Sequence, residues 1–71
     1  MTTTVEAEAL REAWRKFDKG DHLTDAELRT LKRSAEEGER YLVARGERLA
    51  TAKTRLDLSR IEGYLDARRT R

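Results

Sequence analysis

Hydrophobic positions along the chain recur at intervals of three and four, and no stretch alternates as a half-buried strand would. Ala7, Leu10, Ala13, Trp14 and Phe17 form a first stripe, with Arg11, Glu12, Arg15 and Lys16 elsewhere on the same turns. The spacing predicts a helix over about residues 4–18, opened by a capping box of Thr3 with Glu6 and ended by Gly20. Glu12 and Lys16 add a favourable i,i+4 pair. A second helix has the strongest start signal, with Thr24 as N-cap, Glu27 at the third helical position and Leu23 and Leu28 placed as a hydrophobic staple. Asp25 puts negative charge where the helix dipole favours it. Leu28, Leu31, Ala35, Gly38 and Leu42 then carry a strict stripe to about Arg45, and small Ala35 and Gly38 would admit a closely approaching helix. Gly46 is placed to end the helix at positive φ, so this element covers about residues 24–45.

The third segment, about residues 47–70, is also helical but carries two stripes. Leu49, Ala52 and Leu56 prolong the heptad of the second helix, whereas Leu58, Ile61 and Leu65 fall on nearly the opposite face. Two apolar stripes on one helix imply two neighbours, such as an intramolecular hairpin partner and a second subunit. Two arrangements fit. One is a short N-terminal helix followed by a helical hairpin; the other is one long C-terminal helix in a coiled coil. Gly46 and Gly63 weigh against the long helix, at about 1 kcal/mol each relative to alanine. The lack of a strong N-cap after Gly46 weighs for it.

Composition supports an all-α fold: no proline, four glycines, and 42% charged residues in 71. The length allows one small domain, residues 1–71, and the absence of cysteine removes a disulfide framework or thiolate metal site. A core of 16 large apolar side chains without a covalent staple makes oligomerisation the natural support, and the expectation is a homodimer. No stretch reaches the roughly 18 apolar residues of a membrane span, and no signal-peptide core is apparent, so a cytoplasmic protein is expected.

The chemistry-bearing residues argue against an enzyme. Asp18 to Leu28 resembles a calcium loop superficially, but with Asp18 at position 1 the third and fifth ligand positions are Gly20 and His22, and Glu27 comes two residues early. Glu36, Glu37 and Glu39 lack the histidine of a bundle carboxylate site, since the one histidine is His22 in a loop. Ser34 and Ser59 have no activating motif around them. Neither a cofactor nor a metal is expected.

Charge divides the chain: residues 1–39 carry a net −3 and residues 40–71 a net +5. The basic half, with Arg40, Arg45, Arg48, Lys53, Arg55, Arg60 and a tail of Arg68, Arg69 and Arg71, could meet nucleic-acid phosphates. A solvated, basic helix end explains the same residues. Tyrosine and arginine dominate interface hot spots, which makes Tyr41 with Arg45 and Arg48, and Tyr64 with Arg60 and Arg68, the candidate protein contacts.

The segments Leu23-Thr24-Asp25-Ala26-Glu27-Leu28 and Tyr41-Leu42-Val43-Ala44-Arg45-Gly46-Glu47 resemble, in style, the small arginine-rich helical accessory and early proteins of temperate and Mu-like phages. Some of those bind a host regulatory or defence protein and switch it off. The resemblance covers about residues 23–70 and includes no diagnostic motif, so no functional residue is carried over. It implies a non-enzymatic protein-binding module, a phage-encoded inhibitor of a host protein. The alternative is a small nucleic-acid-associated accessory factor using the basic C-terminal half.

Overall fold

A computed structural model describes residues 4–69, which form three helices: α1 (Thr4–Lys19), α2 (Asp25–Arg45) and α3 (Arg48–Arg69). The expected capping residue Thr3, the last helical position Thr70 and the tail residue Arg71 lie outside the described residues. The fold is all-α, and α2 and α3 form a helical hairpin against which α1 packs. The long-helix alternative does not occur.

The chain reverses at Gly46, with φ 72° and ψ 23°, in the left-handed region that glycine adopts without a Cβ clash. Its amide donates to the Val43 carbonyl at 3.0 Å and that of Glu47 to the Leu42 carbonyl at 3.1 Å. This pair of bonds is the Schellman arrangement and satisfies carbonyls that the end of α2 would otherwise leave open. Glu47 serves as the turn into α3, its carbonyl accepting the Thr51 amide at 3.0 Å. At the other end of α2 the expected capping box is complete. Thr24 Oγ1 accepts the Glu27 amide at 3.1 Å, and the Glu27 carboxylate accepts the Thr24 amide at 2.9 Å.

The core gathers at the open end of the hairpin. Ala13 and Phe17 of α1, Leu23 of the first loop, Leu28 and Leu31 of α2 and Ile61 of α3 are buried together, with Leu10, Trp14 and Leu65 packed around them. Leu23 and Leu28 thus act as the staple their positions imply. Trp14 and Phe17 meet edge to face, with centroids 5.6 Å apart. Thr51 is buried too, its hydroxyl donating to the Glu47 carbonyl at 2.7 Å, so no polar group is left open there. Between residues 40 and 50 no side chain is buried. The hairpin therefore projects as a thin two-helix tip beyond the core that α1 helps to close.

Candidate surface for a protein partner

The two stripes of α3 separate as helical geometry requires. At about 100° per residue, Leu56 and Leu58 point about 200° apart. Leu58 and Ile61 are buried and Leu65 half-buried, facing α2 and α1, whereas Leu49 is 89% exposed and Leu56 68% exposed, with Ala52 exposed between them. Tyr41 and Val43 on α2 are also exposed. Among the described residues, the large apolar side chains that the fold leaves in solvent thus concentrate in residues 41–56, with Val5 and Tyr64 as the exceptions.

The six candidate contact residues fall into two groups. Tyr41, Arg45 and Arg48 lie at the hairpin tip. The Arg45 guanidinium sits 5.4 Å from the Tyr41 ring centroid, donates to the Tyr41 hydroxyl at 3.1 Å and reaches Glu47 at 3.4 Å. This holds tyrosine and arginine together in solvent, an arrangement suited to an interface anchor. Arg48 borders the groove formed by Val43, Thr51, Ala52 and Arg55.

Arg60, Tyr64 and Arg68 lie at the opposite end of α3 and are tied to other elements. The Arg60 guanidinium covers the Phe17 ring at 4.6 Å, and the Tyr64 ring meets Phe17 edge to face at 6.3 Å. Arg68 donates to the Leu23 carbonyl and, at 2.6 Å, to the Asp25 carboxylate. These three side chains fasten α3 to α1 and to the loop before α2. The Asp25 carboxyl titrates below its ordinary value, chiefly because Arg68 donates to it. That of Glu27 is lowered first by the Thr24 amide and then by Lys16, whose ammonium lies 3.0 Å away.

The exposed leucines Leu49 and Leu56, and Val43, were not among the tyrosine and arginine candidates. The signal for the leucines was available in their position opposite Leu58 and Ile61; nothing in the local sequence distinguishes Val43. His22 is exposed in the α1–α2 loop, Ser34 is half-buried on α2 and Ser59 is exposed on α3. Among the described residues no group of three histidine, cysteine or acidic side chains converges as a metal site. Among the described residues no helix is long and apolar enough to cross a membrane.

Several basic side chains of the C-terminal half are paired. Arg55 meets Glu39 at 2.7 Å, Lys53 meets Asp57 at 3.3 Å, and Arg45 and Arg68 are engaged as above. A more uniformly basic groove runs between the start of α2 and the end of α3, where Arg29, Lys32, Arg68 and Arg69 surround Leu65 and Asp25. In comparisons with protein families, curated proteins and solved structures, nothing matches this chain.

Proposed function

We propose that the protein is a non-enzymatic protein-binding module whose working surface is the outer half of the hairpin. The observation that carries this reading is the concentration of Tyr41, Val43, Leu49 and Leu56 in solvent on one half of a very small molecule. Exposed apolar patches are normally kept for contact with another macromolecule. The Tyr41–Arg45 pair adds the residue types that anchor interfaces. The resemblance to small phage accessory proteins directs the partner toward a host regulatory or defence protein in the cytoplasm, inhibited by occupation of its surface.

The reading is tested by capture from bacterial lysate with the tagged chain, at low and high salt, with and without nuclease, beside a Tyr41→Ala, Arg45→Ala variant. One host protein retained through nuclease and high salt, and lost with the variant, supports it. A second reading, nucleic-acid association, draws on the groove of Arg29, Lys32, Arg68 and Arg69. Its signature is broad recovery that disappears with nuclease and a steep loss of duplex binding as salt rises. Asp25 within that groove already takes Arg68, which makes protein binding the better supported reading.

A further inference from the structure

We propose that the outer face of α3 pairs with the same face of a second copy, the two helices running antiparallel about a two-fold axis near Leu56. This rests on the protein-binding reading and divides its surface, assigning the α3 face to self-association and leaving the Tyr41–Arg45 tip for the host protein.

Three features of α3 favour this occupant. Along the outward stripe Leu49, Leu56 and Gly63 are spaced by seven residues, and Leu49 and Leu56 are among the most exposed apolar side chains in the molecule. Antiparallel pairing about Leu56 sets each Leu56 against its copy and each Leu49 over the Gly63 of the other chain, a large side chain on a position that has none. Gly63 itself is the second feature. It lies inside a helix, where glycine costs about 1 kcal/mol relative to alanine, yet a Cβ added there would meet nothing within 4 Å. No contact within the chain accounts for it, and the open space beside it leaves room for a second backbone to approach.

Charge supplies the third feature and decides the direction. One flank of the stripe carries Arg48 near its start and Glu62 near its end, with Arg55 between them beside the axis and held by Glu39 on α2 at 2.7 Å. Antiparallel pairing sets the Arg48 of each copy toward the Glu62 of the other; parallel pairing sets Arg48 and Arg55 toward the Lys53 and Arg60 of the copy. The opposite flank carries Lys53 and Arg60, which antiparallel pairing brings near one another. Each is drawn back within its own chain, Lys53 to Asp57 at 3.3 Å and Arg60 onto the Phe17 ring.

A contact along one helix of 22 residues belongs to the small class of protein interfaces, so a reversible dimer exchanging in the micromolar range is expected. Sedimentation equilibrium of the full chain across that range should show monomer and dimer. Leu56→Glu should weaken association at least about tenfold, the equivalent of 1.4 kcal/mol or more, with the far-UV spectrum and melting of the monomer unchanged. Because the chain has no cysteine, direction can be read directly. Under mild oxidation Leu56→Cys should cross-link to itself while Leu49→Cys should not. Equal self-cross-linking of Leu49→Cys would overturn the antiparallel arrangement. A strict monomer would overturn self-association altogether. If that monomer still captured a host protein and lost it with Leu56→Glu, the protein-binding reading would stand with a different occupant on α3. A dimer of the expected direction that captured nothing would leave this inference intact and remove the host-inhibitor reading.

Discussion

Burial among the leucine and isoleucine side chains of this molecule runs from complete to almost none. Leu28, Leu31 and Ile61 are fully enclosed while Leu49, of the same chemistry, is almost fully in solvent. Truncating Leu31 to alanine should therefore cost about 2–5 kcal/mol in urea unfolding, whereas Leu49→Ala should stay within about 0.5 kcal/mol of the parent. Gly38 gives a change of opposite sign. Its place in the seam predicts a close helix approach, but a Cβ there would meet nothing within 4 Å, so the glycine is not required by packing inside the chain. Gly38→Ala should raise the unfolding free energy by about 0.5–1 kcal/mol, because helix interiors favour alanine by that much. The apolar periodicity located most of the buried positions, though Ala7 lies exposed and Leu42 only half-buried, and it could not reveal how close neighbouring backbones come. Nor could it reveal that Arg60, Tyr64 and Arg68 would be drawn in by Phe17 and the Leu23 loop. Those contacts join positions more than forty residues apart, and local spacing holds no trace of them.

The helices themselves were readable because their ends carry local chemistry. The observed start of α2 follows from four side chains within six residues, and its end follows from a glycine at positive φ. Whether the chain reversed at Gly46 was harder to read, because a glycine inside a long helix and a glycine closing a hairpin have similar cost and the heptad runs through both. Removing the Thr24 hydroxyl by Thr24→Ala should lose about 1 kcal/mol, measurable as a lower melting temperature. The same cap gives the fold an acid limb. The carboxyls of Glu27 and Asp25 titrate below their ordinary values of 4.5 and 3.8 in the folded chain. Their contribution is complete above those values and is lost as pH falls through the lowered ones, since the unfolded chain then binds more protons. Thermal melts taken from neutral pH downward should begin to fall in the range where free carboxyls titrate, and Glu27→Gln should flatten part of that decline.

At the scale of the whole molecule the radius of gyration is 12.8 Å, against about 11 Å for a compact chain of this length. The excess reflects the projecting hairpin tip, and it separates a closed end that holds the fold together from an outer end that presents Tyr41, Val43 and Leu49. Gly46→Ala should strain the reversal between the two helices, because alanine resists φ 72°, and lower the denaturant midpoint by an amount equivalent to at least about 1 kcal/mol. The reversal governs more than stability. The outward residues Leu49, Leu56, Ser59 and Gly63 each stand two places before an inward one, Thr51, Leu58, Ile61 and Leu65. The sequence of α3 can thus be read in two frames offset by two residues, of which the outward one has large apolar side chains only at Leu49 and Leu56. The position of the cap at Gly46 selects the frame that closes on α2. Inserting two residues into the first turn of α3 would bring Leu49 to the place of Thr51 and Leu56 to that of Leu58, but also Ser59 to the place of Ile61 and Gly63 to that of Leu65. The same length change would carry Ile61 and Leu65 into solvent, so the seam with α1 and α2 would lose the side chains that close it.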